Sequence, residues 1–313
     1  MTLQQLEYAL AIGKTGSFVL AAEQCFVTQP TLSMQVKKLE EEIGITIFDR
    51  SRQPVSVTDA GKIFLEQAQV VVREKNRLME VLSSARGEVA GEFRLGIIPT
   101  LAPYLVPLFL PKFVEHYPNV HLEVEEMTTS AITDQLKREN IDAGILATPL
   151  DEAQLHEQFL FNEPYVAYLS RKHSLWNKKQ LKPEEIEADD LWLLSDGHCM
   201  KNQVLQLCNR KKSSANGTSF EFRSGSIETL RRMVETGKGM TILPWLAVPA
   251  LSPKQQEAIR YFRSPEPVRE ISIVTHRAQL KKAIVDALAE VITDAIPKHL
   301  KRSVKQEVLP VEV

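Results

Sequence analysis

Several things this chain lacks narrow what it can be. Its 313 residues hold three cysteines, too few for a disulfide-stapled scaffold, so a reducing cytoplasm is the expected compartment. There is no CxxC pair and no HExxH helix, and the seven histidines are scattered, so no metal site is expected. GxSxG and a phosphate-cradling glycine loop are also missing, and with them the usual signatures of a hydrolase or nucleotidase. We therefore expect no enzyme and no cofactor. Apolar runs are short: TILPWLAVPAL at 241–251 is broken by prolines and cannot span a bilayer. The opening MTLQQLEYALAIGKTG has no basic stretch followed by an apolar core, so no secretory leader is expected. A formal net charge of −2 gives no overall pull toward polyanions. Nucleic-acid binding, if present, must come from a local surface.

What is present is an ordinary soluble composition, 43% hydrophobic and 25% charged, over a length that suits two or three domains. In LQQLEYALAI, Leu3, Leu6, Ala9 and Leu10 share one helical face. GKTGS breaks that helix, and Ser17 can cap a second, FVLAAEQCF, with Cys25 on its apolar side beside Ala22 and Phe26. Thr28 is the expected N-cap of a third helix, QPTLSMQVKKLEEEIG, with Pro30 in its first turn and Gly44 as its C-cap. Leu32, Val36, Leu39 and Ile43 point inward there, which leaves Gln29, Thr31, Ser33, Gln35 and Lys37 outside. Two short helices and a tight turn, the second offering Gln, Thr and Ser, fit a helix-turn-helix that reads base edges. ITIFDRSRQPVSVTDAG then reads as a small wing, with Arg50 and Arg52 placed for phosphates. An ordinary three-helix packing unit would satisfy the same pattern.

The run AAEQCFVTQPTLSMQVKKLEEEIGITIFDRS, followed by VTDAG, resembles the N-terminal signature of LysR-type transcriptional regulators. That resemblance implies a winged helix-turn-helix acting in a dimer on double-stranded promoter DNA. Gln29, Pro30, Thr31 and Ser33 would lie at the tip of the recognition helix and Gln35 one turn further in. A long helix over residues 59–86 carries more apolar surface than one small domain needs, as expected of a linker that pairs with its own copy. The expected layout is 1–58 DNA-binding, 59–90 linker and 91–300 regulatory. The regulatory part would form two lobes, 91–163 with 268–300 and 164–267, and 301–313 is a charged tail without an assigned role.

From Glu92 strands and helices alternate, which predicts an α/β domain with a mainly parallel sheet. The implied fold class is a winged helix-turn-helix and linker helix joined to a two-lobed α/β domain like that of periplasmic binding proteins. Thr100 and Thr129 fall at strand-to-helix junctions, where open α/β sheets bind ligands.

Within LLSDGHCMKNQVLQLCN a helix is expected to begin near Cys199, capped by Ser195 or Asp196. A helix N-terminus, with His198 and Lys201 adding positive charge, favours a thiolate. If helical, the nine steps to Cys208 separate the two Cα atoms by about 13.5 Å, whereas a disulfide needs about 7 Å or less. Two inert thiols or a redox pair that must unwind the segment are both open on these grounds. GIIPT, DGHCM, SIETLRRMV and GMTILPWLAVP resemble the peroxide-sensing branch of the same family. That implies Cys199 as the peroxide-reactive thiol, Cys208 as its resolving partner, and Thr100, Thr129 and His198 as the peroxide pocket. It further implies a homotetramer that engages RNA polymerase and controls oxidative-stress defence genes. Rival readings are a metabolite-sensing regulator of the same family, a thiol peroxidase, and a solute-binding protein with a fused domain.

Overall fold

The computed structural model describes residues 1–51, 54–85, 89–187, 190–195, 197–207, 224–301 and 306–311. Arg52, Asp196, Cys208 and the loop 210–219 lie outside the described residues. The chain divides into two compact units, Met1–Arg86 and Gly87–Val313.

In the first unit three helices form, the second and third with the caps read from the sequence. Helix α1 (Leu3–Thr15) starts with a Thr2–Gln5 capping box, α2 (Phe18–Gln24) starts at Ser17, and α3 (Gln29–Ile43) starts at Thr28 and ends on left-handed Gly44. Leu32, Val36 and Leu39 of α3 are fully buried against Ala9, Ile12, Ala21 and Ala22. Phe26 departs from expectation. Helix α2 ends two residues before it, and Phe26 takes the left-handed turn position (φ 54°) with its ring 96% exposed. Strands β1 (Phe48–Asp49) and β2 (Ser56–Val57) pair antiparallel as the wing. Helix α4 (Asp59–Ala85) follows, its Gly61 N–H donating to Thr58 Oγ1 at 2.9 Å. A Cβ on Gly61 would lie 2.3 Å from the Ile47 carbonyl oxygen, so the TDAG glycine is there for close backbone approach.

The second unit contains β3 (Gly91–Ile97), α5 (Ala102–His116), β4 (Val120–Glu126), α6 (Thr129–Lys137), β5 (Ala143–Thr148) and β6 (Leu155–Leu169). Next come β7 (Gln180–Leu181), α7 (Cys199–Leu207), α8 (Ile227–Thr236), β8 (Met240–Pro244), α9 (Pro253–Gln256) and β9 (Ile259–Phe262). The chain closes with β10 (Glu266–His276), α10 (Lys282–Ala295) and β11 (Gln306–Val308). The strand order is β4-β3-β5-β10-β6-β9-β7, with β8 on β6 and β11 on β10.

The sheet is mixed, not mainly parallel. β3 runs parallel to β4 and β5, but β10 enters antiparallel to both β5 and β6, and β6 is antiparallel to β8 and β9. The reason is the return of the chain: β10 inserts between β5 and β6 from the far side. Strand β6 is long enough to serve two groups of strands. Leu155–Pro164 pairs with β10, and Tyr165–Leu169 pairs with β8. No helix among the described residues is long and apolar enough to cross a membrane.

Candidate functional site

Three separate stretches of the second unit meet at one small, partly open indentation. The β3–α5 turn brings Ile98, Pro99 and Thr100; the start of α6 brings Thr128 and Thr129; the start of α7 brings Gly197, His198 and Cys199. Thr128 caps α6, its Oγ1 accepting from Ala131 N–H at 3.3 Å, and this turns Thr129 inward. Thr129 is 3% exposed, and its Oγ1 has no hydrogen-bond partner among the described residues. A buried hydroxyl left so is unusual and points to a polar guest.

Thr100 is held from behind. Arg269 on β10 donates through Nη1 to Thr100 Oγ1 at 2.8 Å and through Nη2 to the Thr100 carbonyl at 3.2 Å. Its Nε donates at 2.8 Å to Oε2 of Glu163, its register partner on β6, while Glu163 Oε1 accepts from Leu246 N–H. Both side chains have no exposed surface. Burial opposes the guanidinium charge, but the neighbouring Glu163 carboxylate outweighs it and holds Arg269 above its ordinary range. Cys199 lies within Coulombic reach of this cation. Sequence reasoning missed Arg269 and Glu163. The only signal was charge set among apolar residues of two strand-like runs, Glu163 in FNEPYVAYL and Arg269 between Glu266 and Glu270 in EPVREISIV.

Cys199 is the first residue of α7 and is 6% exposed; it and Cys25 are free thiols. His198 sits half-buried beside it, and a Cβ on Gly225 would stand 3.1 Å from its Nε2, so the ring has little room there. Burial pushes His198 below its ordinary value. It is therefore the neutral imidazole at pH 7, a hydrogen-bonding group and not the cation expected from sequence; the buried positive charge near Cys199 belongs to Arg269. The Cys25 thiol is pushed up by burial and then by Glu7, which suits an unreactive packing residue. Along α7, Met200, Val204 and Leu207 join the core, whereas Leu205 is only partly covered. Among the described residues no cluster of His, Cys, Asp and Glu could hold a metal ion.

In the first unit Gln29, Pro30, Thr31 and Lys37 are exposed on α3 and Ser33 is half-buried. Thr31 Oγ1 pairs with Thr28 Oγ1 at 2.8 Å. Gln35 is more engaged than expected: its Oε1 accepts from Gln5 Nε2 at 3.2 Å. Arg50 ties the wing to the recognition helix, with Nη2 on Glu40 at 2.8 Å, Nη1 on Ser33 Oγ at 3.4 Å and its guanidinium over the Phe18 ring.

Residues 3–62 match the bacterial regulatory helix-turn-helix protein model of the lysR family, and residues 86–297 match the LysR substrate binding domain. The chain is 33% identical over 310 residues to the DNA-binding transcriptional dual regulator OxyR of Escherichia coli K12, covering 98% of this chain and 100% of that protein. It is 32% identical to a hydrogen peroxide-inducible genes activator of Haemophilus influenzae, over 96% of this chain and 99% of that one. Among solved structures, a full-length OxyR variant from Pseudomonas aeruginosa aligns with a TM-score of 0.71 at 33% identity, covering 94% of this chain and 98% of that one. With both units matched, the chain belongs to the LysR family: it is a DNA-binding transcriptional regulator and not an enzyme.

Proposed function

We propose that this regulator senses hydrogen peroxide through Cys199 and answers by forming a Cys199–Cys208 disulfide. One observation carries the reading. Residues from three separate stretches of the second unit converge on one small pocket lined by Cys199 and by Thr129, whose buried hydroxyl has no partner among the described residues. Peroxide is small and both donates and accepts hydrogen bonds, which suits a site lined by threonine hydroxyls, an imidazole and a thiol. The names of the OxyR relatives point the same way. A metabolite-sensing regulator would have no need of a thiol at a helix start beside a buried cation.

The chemistry balances. The Cys199 thiolate attacks one peroxide oxygen, the O–O bond breaks, and the leaving hydroxide takes a proton and departs as water, leaving a sulfenic acid. The Cys208 thiol then displaces a second water to form the disulfide. Thr100, Thr129 and His198 orient the peroxide, and Arg269 supplies fixed positive charge as negative charge develops. Helix α7 runs to Leu207, so about 12 Å separates Cys199 from the residue before Cys208. Joining the two thiols requires unwinding α7 and withdrawing Met200, Val204 and Leu207 from the core, each worth about 1.5–3 kcal/mol of burial. This gives the sensor two discrete states.

In this reading the DNA interface is the tip of α3 (Gln29, Pro30, Thr31 and Ser33, with Gln35 and Lys37 further along) together with Arg50 and Arg52 of the wing. Its Arg50 would reach phosphate only by exchanging partners with Glu40. The protein acts in the cytoplasm as a dimer of dimers and engages RNA polymerase at oxidative-stress promoters. Ile63, Val71 and Leu78 of α4 support pairing, being exposed at 68%, 45% and 61% along one face at near-heptad spacing. The deciding variant is Cys199→Ser, which should abolish the peroxide-dependent change in promoter footprint while leaving DNA affinity in reductant intact. Persistence of the peroxide response in that variant would sink the redox reading and leave the metabolite-sensing one.

A further inference from the structure

The residues after α10 take no part in the function proposed above, yet they are built into the sensor unit. Strand β11 lies parallel to the start of β10, with Glu266 opposite Gln306 and Val268 opposite Val308. Asn162 Nδ2 donates to Gln306 Oε1, and Leu309 N–H donates to the Val268 carbonyl, both at 2.9 Å. From Gln306 to Val311 the only fully buried residue is Leu309, which belongs to the main core. Its carbonyl accepts at 2.9 Å from Nε2 of Gln203.

Gln203 lies on α7, one turn beyond Cys199, with no exposed surface. Its Oε1 accepts from the buried Tyr165 hydroxyl at 2.7 Å. The terminal segment thus touches both supports of the pocket. One is α7, which carries Cys199. The other is Val268, the residue before the Arg269 that holds Thr100.

We propose that residues 306–311 form a strap that the sensor helix holds down in the reduced protein and releases on oxidation. The proposal rests on the Cys199–Cys208 reading. Gln203 lies between the two cysteines, so any unwinding that joins them must carry Gln203 away from Leu309. The Leu309 carbonyl then loses its donor while still buried, which is unfavourable until the segment leaves for water. What then retains it is a three-residue parallel edge strand, the Asn162–Gln306 bond and the Leu309 side chain, a short anchor beside the buried carbonyl's loss. The coupling is reciprocal: a strap that stabilises helical α7 opposes the disulfide, and loosening the strap must favour it.

Hydrogen exchange with mass spectrometry on the full-length chain tests this, with the Cys199–Cys208 link mapped in the same samples. Peptides covering 306–311 should be protected in dithiothreitol and exchange at least about tenfold faster after hydrogen peroxide. In the reduced Gln203→Leu variant they should exchange faster by a similar factor without peroxide, while residues 3–43 are unchanged. Leu309→Ser should shift the equilibrium with a glutathione redox buffer toward the disulfide by about fivefold or more. If the link forms and 306–311 stay protected, the strap is overturned and the disulfide reading stands. If no link forms, the disulfide reading fails, and release on oxidation fails with it. Unchanged exchange in Gln203→Leu overturns the strap whatever the cysteines do.

Discussion

Arg269 carries a positive charge with no exposed surface, and Glu163 opposite it in the β6–β10 ladder is the carboxylate that sustains it. Arg269→Met should destabilise the protein by about 3–5 kcal/mol, because it strands a buried carboxylate. Urea denaturation measures this, and a double change to Arg269→Met with Glu163→Leu should recover much of the loss. A loss under about 1 kcal/mol in the single variant would mean the pair is not the support described. His198 gives a second handle. Its folded pKa lies below its unfolded value, so the unfolded chain binds more protons in the window below about 6.5. The His198 contribution is therefore complete above that pH and is lost as pH falls through the folded pKa. The melting temperature should decline between pH 7.5 and 5.5, and His198→Asn should flatten part of the decline. An identical slope in that variant would assign the pH dependence to other groups.

Elements differ in how far their own sequence determined them. Helix α3 was legible because its cap at Thr28, its stop at Gly44 and the buried trio Leu32, Val36 and Leu39 are all local signals. Gly61 was legible as part of a motif, but its reason, the Ile47 carbonyl pressed against it, is a contact across fourteen residues. Gly61→Ala should therefore cost about 1–3 kcal/mol by overpacking, the amount typical where a core cannot give way. Thermal melting would show it, and a neutral result would mean that α4 can slide away from β1. The pocket was legible in part. Thr100, Thr129, His198 and Cys199 announce themselves by their positions at element starts. Arg269 reaches Thr100 across 169 residues and Glu163 across 106, and nothing local foretells such pairing. Strand direction was likewise hidden, since EISIVTHR alternates in the same way whichever way it runs. The Gln203–Leu309 bond joins a helix read as a redox element to a tail read as unassigned.

At the scale of the whole molecule, near-neutral net charge leaves binding to local surfaces and assembly to apolar ones. If α4 pairs with its own copy, Ile63→Glu with Leu78→Glu should weaken self-association by at least about a hundredfold. Analytical ultracentrifugation would read the shift toward monomer, and an unaltered distribution would move the interface elsewhere.

The continuity of β6 has a wider consequence. Its first ten residues belong to the ladder with β10 and its last five to the ladder with β8, while β10 returns to the first group only after β7, β8 and β9 are complete. The second group of strands is therefore an insertion within the first. Recombination between relatives cannot trade half of this sensor at a single crossover; it must break and rejoin the chain twice, once within β6 and again before β10. Point substitution inside an intact frame is then the easier evolutionary route to a new specificity.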